Sequence, residues 1–331
     1  MMRRREFTTL LSAAALGLPF IARAQQAEAG RRIGVLMGFA EEDPESERRL
    51  TALRNELQKL GWTDGHNIRI DYRWSTGEKE QAWAGAKELV GLQPDVLVGH
   101  ASLSTMALRA NTSVIPLVFT AVSEPLTQGL IPSFANPGGN TTGFANSPVT
   151  MGGKWLEILK GLAPDVQRVA VIFNEAVTPI AQSFCSSVEE TAKALGVETT
   201  AAPVRDNAEI EAVMTGVGHD PGGGLIFPPD TFMTIRRKII VELAARYRVP
   251  CIYANRSFAT DGGLVSYSID AVHQFRQAAA YIDRILRGAK PAELPVQQAE
   301  KFELVINLGT AKALDLRVSR NLVVGSTSLI E

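Results

Sequence analysis

The residues that could hold a metal or move a proton are scattered. The four histidines, His66, His100, His219 and His273, share no local pattern. No H-E-x-x-H motif sets two of them on one helix face around a glutamate, so zinc hydrolysis has no basis in the sequence. A nucleophilic serine on a G-x-S-x-G turn is also missing. Gly152-Gly153-Lys154 runs into Trp155, where a phosphate-binding loop needs Ser or Thr. Gly216 and Gly218 are spaced as in a dinucleotide loop, but Pro221 takes the last glycine position and the segment precedes a strand. Glu41-Glu42 and Glu189-Glu190 read as solvated faces, not acid–base pairs. The sequence therefore predicts no enzyme, no cofactor and no metal.

What remains is chemistry of recognition. Phe39, His100, Ser102, Val122, Ser123, Asn174, Asp230, Asn255 and Arg256 all stand at or just beyond the ends of apolar runs. Together they offer hydroxyls, amides, one acid, one guanidinium and aromatic rings. Such a set suits a small polar ligand with an apolar part. Ser102 and Ser104 fall near the start of a helix, where backbone N–H groups and the dipole favour a carboxylate; a plain N-cap is the alternative for Ser102. Asp230 follows Pro229 at a helix start. It reads either as a cap or as an acceptor for a ligand ammonium. Arg256 reads either as a bidentate partner of a carboxylate or as a bridge between lobes.

The elements that must position these residues alternate strictly. Asp95–Pro125 reads as strand, polar loop, helix, strand, polar loop. Its strands, Val96-Leu97-Val98 and Ile115 to Phe119, are apolar without alternation, as parallel strands covered on both faces should be. In open α/β sheets ligands sit beyond the carboxyl ends of such strands. The same β-α rhythm runs through the chain, with Gly61, Gly196 and Gly288 closing helices. It restarts near Leu156. The segment from Gly224 to Tyr253 resembles that from Asp95 to Phe119, with a proline opening the second strand in each. The fold class expected is α/β: two doubly wound parallel-sheet lobes whose strand ends face each other across a cleft.

With 331 residues there is length for two cores. The formal charge of −1 leaves no basic excess for nucleic acid. Arg3-Arg4-Arg5, the apolar run Leu10 to Ile21 and Ala22-Arg23-Ala24 form an export signal, cleaved after Ala24. Arg4-Arg5-Glu6-Phe7 also resembles a twin-arginine signal, a general secretory signal being the alternative. Cleavage removes four arginines and one glutamate, leaving 30 basic and 34 acidic residues and a charge of −4. No other segment is apolar enough to insert in a membrane, so the mature chain is expected in the periplasm. Cys185 and Cys251 are expected as two buried thiols and not a disulfide.

Four stretches carry a family resemblance: RRREFTTLL…ARAQ at the start, SEPLTQGLIPSFANPGGNTTGF at 123–144, ELAARYRVPCIYANRSFATDGGLVSY at 242–267 and KFELVINLGTAKALDL at 301–316. With them the whole chain resembles the substrate-binding proteins of ABC transporters, in the branch with tryptophan- and tyrosine-binding members. The resemblance implies a type I periplasmic-binding fold, with a multi-strand hinge near 143–148, 268–270 and 295–300. One lobe is expected to hold 31–145 plus 272–290 and the other 146–271 plus 301–331. It implies a small-molecule ligand bearing a carboxylate (an aromatic or branched amino acid, or an aromatic acid), an ABC permease as partner, and action as a monomer. A ligand-sensing module feeding a membrane receptor or kinase is the alternative, and a secreted α/β enzyme the remote one. Ser123-Glu124-Pro125 and His100-Ala101-Ser102 depart from the family's Gly-Asp-Pro and Gly-Thr/Ser-Pro. Both departures are expected at the pocket.

Overall fold

The computed structural model describes residues 30–331, so the expected export signal lies outside the described residues. The chain opens β1 (Arg31–Met37), α1 (Pro44–Lys59), β2 (Ile68–Trp74), α2 (Lys79–Gly91), β3 (Val96–His100), α3 (Ala101–Asn111), β4 (Leu117–Val122) and β5 (Thr141–Ala145). These strands form a parallel sheet in the order β2-β1-β3-β4-β5. All five residues of β3 are buried, which is why its sequence shows no alternation. Helix α1 starts where the sequence says it should. Asp43 caps it by accepting from the Glu45 N–H, and Pro44 supplies the first turn without needing a donor.

The second part continues with α4 (Met151–Leu162), β6 (Arg168–Phe173), α5 (Ala181–Leu195), β7 (Glu198–Pro203), α6 (Asn207–Gly218) and β8 (Gly223–Phe227). Then come α7 (Thr231–Ile235), α8 (Arg237–Arg246), β9 (Cys251–Tyr253), α9 (Arg256–Thr260) and β10 (Val265–Ile269). Helix α10 (Ala271–Leu286) returns to pack on α1 and β4. The chain then crosses back to β11 (Phe302–Asn307), α11 (Leu308–Ala313), α12 (Arg320–Gly325) and β12 (Ser328–Ile330). The second sheet runs β12-β11-β10-β9-β8-β6-β7. It is not wholly parallel as expected: β11 lies antiparallel to β10, because the chain re-enters this sheet from the other lobe.

Separate apolar clusters sit on the two faces of each sheet, and one of them reaches across both sheets, from Leu36 and Leu97 to Phe227 and Phe232. The two sheets are held close by α7, which leans on the loops after β1 and β2. A Cβ at Gly77 (φ +67°) would stand 3.1 Å from the backbone of Phe232, and one at Gly38 would stand 3.0 Å from the Thr231 methyl. Both thiols are free as expected; Cys251 is buried, but Cys185 is only half-buried, packed against the apolar cluster of the second sheet.

Candidate functional site

The carboxyl ends of β1, β3 and β4 face those of β8, β9 and β10 across a cavity of about 80 Å³. One water needs roughly 10–15 Å³ of such space, so the cavity has room for a small molecule. Seven of the nine residues singled out above line it: Phe39, His100, Ser102, Ser123, Asp230, Asn255 and Arg256. Two are placed elsewhere. Val122 is wholly buried with Phe119, Leu130 and Ile131, because strand alternation turns it into a satellite core. Asn174 spends its polar atoms on a turn. Its side-chain N–H donates to the Val204 carbonyl, and its side-chain oxygen accepts from the Ala176 N–H.

The two strand-end loops of the first sheet are strained at the site. Ala101 and Ala121, both lining the cavity, have φ of +67° and +56°, and Glu124 has +48°. Such backbone costs a non-glycine residue roughly 1–2 kcal/mol and concentrates at functional sites. Neighbouring groups hold it in place. The Gln274 side chain on α10 accepts from the Ala121 N–H at 3.1 Å and donates to the Ala145 carbonyl at 2.6 Å. Gln128 donates to the Ser102 hydroxyl at 2.9 Å and to the Ser123 carbonyl at 2.5 Å. Ser102 is therefore not a cap; His100 occupies the N-cap position of α3 without a side-chain hydrogen bond. Glu124 does not face the cavity: its carboxylate accepts from the Val149 N–H, where the chain leaves the first sheet for the second.

On the opposite side the acid and base are already engaged. Asp230 accepts from the Asn174 N–H at 2.7 Å and the Met233 N–H at 3.1 Å, which makes it the cap of α7. Burial pushes its carboxyl up even so. Asn255 caps α9 through the Ser257 N–H. Arg256 lies 3.5 Å from Glu303, a residue of the same sheet, so it does not bridge the lobes.

The structure adds residues that the sequence reading missed. Glu45, Arg48 and Arg49 of α1 line the first side, and Thr231, Thr234 and Ser268 line the second. Arg49 is almost fully buried, donates to Glu45 at 3.2 Å and spreads over the Phe39 ring at 4.7 Å. Its guanidinium reaches the His100 ring at 2.6 Å, and the Gly38 N–H donates to the other ring nitrogen at 3.1 Å. Burial first, then the charge of Arg49, holds His100 well below its ordinary value, so the ring is neutral. A signal for Arg49 did exist: it stands four residues before buried Leu53 and so interrupts the apolar stripe of α1. A Glu45–Arg49 pair at i,i+4 reads more readily as a solvated one.

The model of the family described as ABC transporter substrate binding protein matches residues 36–330. The chain belongs to that family. Among curated proteins, the tyrosine-binding protein of Clostridioides difficile (strain R20291) is 26% identical over 277 residues, covering 83% of this chain and 79% of that protein. A conserved domain protein from Vibrio cholerae O1 biovar El Tor superposes with a TM-score of 0.81 at 27% identity, over 90% of this chain and 99% of that one. An ABC domain in complex with L-Trp from Streptococcus pneumonia superposes with a TM-score of 0.82 at 22% identity, over 91% of this chain and 100% of that one. This substrate-binding protein thus has the two-lobed type I periplasmic-binding fold. Among its described residues no helix is long and apolar enough to cross a membrane.

Proposed function

We propose that this substrate-binding protein is the periplasmic receptor of an ABC importer. It captures a small carboxylate-bearing ligand with an apolar part, an aromatic or branched amino acid or an aromatic acid, and hands it to an inner-membrane permease. The observation that carries the reading is the cavity between the two sheets, where polar atoms meet small apolar side chains. Phe39, Val177, Ile180 and Ile269 supply apolar wall. The hydroxyls of Thr231 and Ser268 are buried and find no partner among the described residues. A buried hydroxyl without a partner costs roughly 1–3 kcal/mol, which a ligand's polar group can recover. The tyrosine-binding relative and the L-Trp complex support the amino-acid part of the reading.

In this reading 31–145 with 272–290 forms one lobe and 146–271 with 301–331 the other, and they close on the ligand as a monomer. Closure is a population shift driven by contacts made only in the closed state. Neither lobe performs chemistry on the ligand, which is recovered intact. The test is a thermal-shift screen of tryptophan, tyrosine, branched amino acids and aromatic acids. A compound at 100 times its dissociation constant stabilises the folded protein by about 2.7 kcal/mol, enough to raise Tm measurably. If no compound of these classes raises Tm at millimolar concentration, the ligand class is wrong.

A further inference from the structure

Arg49 is a buried cation whose donors are not all used. Its side chain is 4% exposed and lines the cavity. One terminal nitrogen donates to Glu45 at 3.2 Å. Glu45 also receives Arg48, so two guanidinium groups share one carboxylate. The Nε of Arg49 is buried and finds no partner among the described residues.

The contact with His100 is the telling one. A neutral imidazole has one N–H and one lone pair, and a guanidinium has donors only. If Nδ1 accepts from the Gly38 N–H, then Nε2 carries the proton and points it at Arg49, 2.6 Å away. If Nε2 accepts from Arg49, then Nδ1–H points at the Gly38 N–H. One donor–donor contact persists in either tautomer. A small displacement of the guanidinium towards an anion in the cavity relieves it. A carboxylate would then take Nε–H and a terminal N–H together, the fork that a guanidinium matches best.

We propose that Arg49 anchors the ligand's carboxylate, so that the acid end of the ligand faces α1 and not the start of α3. His100 is a positioning residue, holding the guanidinium over Phe39 until the carboxylate takes it. Thr231 and Ser268, whose buried hydroxyls have no partner among the described residues, complete the polar contacts from the other side of the cavity. Ser102, the carboxylate partner expected from the sequence, is tied instead to Gln128. This inference rests on the ligand class proposed above.

Calorimetry on the purified protein tests it, with L-tryptophan, L-tyrosine, L-leucine and phenylacetate, each paired with its carboxamide. The native protein is expected to favour the acid over the amide by on the order of 100-fold, as two charge-assisted hydrogen bonds would give. Arg49→Gln should bring that ratio to within a few-fold of one. Arg49→Lys, which keeps the charge and loses the fork, should fall between. Arg54→Gln, on the same helix but outside the cavity and paired with Glu47, should keep the native ratio. His100→Asn should weaken acid binding while preserving the preference for acid. An Arg49→Gln protein that binds an acid with undiminished preference over its amide overturns the anchor and leaves the receptor reading standing. So does loss of the preference in Arg54→Gln. A native protein that binds no member of the panel overturns the ligand class and the anchor with it.

Discussion

At the scale of single residues, the neutral ring of His100 has a consequence for stability. In the unfolded chain it takes a proton near 6.5, whereas in the fold burial and Arg49 keep it unprotonated to a much lower pH. The unfolded state therefore binds the extra proton first. Stability is complete above about pH 6.5 and falls as pH drops from there towards the folded value, by up to about 1.4 kcal/mol per unit for one proton. Urea unfolding at pH 7.5 and pH 5 should show that loss in the native protein and a smaller one in His100→Asn; equal losses would remove His100 as the cause. The residue scale also shows what a sequence hides. His100 and Glu124 are both expected at the pocket from the sequence, yet only His100 reaches the cavity. His100 ends β3 and Glu124 follows β4, and the two side chains have opposite fates, because the direction of a side chain depends on backbone angles that no pattern of residue types reports.

At the scale of elements, the central parallel strands such as β3 and β6 are legible as short unbroken apolar runs and the longer helices by an apolar stripe, whereas the edge strands β2 and β7 carry no such run. The strand order and the antiparallel β11 are not legible, since neither leaves a mark in local periodicity. The segment from Thr231 to Arg246 is two helices, α7 and α8, meeting at Arg236, a break that leaves no mark in the sequence either. The left-handed alanines were hidden as well. At Ala101 and Ala121 the usual penalty of glycine should vanish, because glycine adopts positive φ without strain. Ala121→Gly should leave the melting temperature unchanged or raise it slightly, where alanine-to-glycine in an ordinary helix costs roughly 0.5–1 kcal/mol. A drop in Tm of the ordinary size would mean that Gln274 and Gln128 do not hold a strained backbone.

At the scale of the molecule, the two sheets are joined by a bidentate pair beside the cavity. Arg237 of α8 donates to both oxygens of Asp43, at 2.7 and 3.2 Å, and to Asp261 of its own side at 2.8 Å. The Arg237 and Asp43 side chains are 6% and 8% exposed. Arg236 and Glu78 form a second, more open pair at 3.3 Å. If the sheets move apart, Asp43 returns to water and Arg237 keeps Asp261. The Asp43 contact therefore weights the closed arrangement more than it weights folding. Arg237→Met should weaken ligand binding by on the order of 10-fold or more, from hydrogen bonds to charged groups worth roughly 1.5–3 kcal/mol. It should do so mainly through faster release. Unchanged binding would mean that closure does not depend on this pair.

Helix α10 belongs to the first sheet's core, where Phe275, Ala278 and Ile282 pack with Ile33, Val98 and Leu53. Trp62 donates to Asp283 at 2.8 Å across 221 residues of chain. The order of synthesis and the order of completion are thereby reversed. Everything the first sheet needs from 31–145 leaves the ribosome early, yet one of its faces stays bare until α10 emerges. The second sheet has the same dependence on β11. Chains stalled before Ala271 should therefore be cut readily by protease within both halves, and those released beyond Leu329 should resist. A protein that cannot finish either half until nearly all of it exists stays open longest while it is being made.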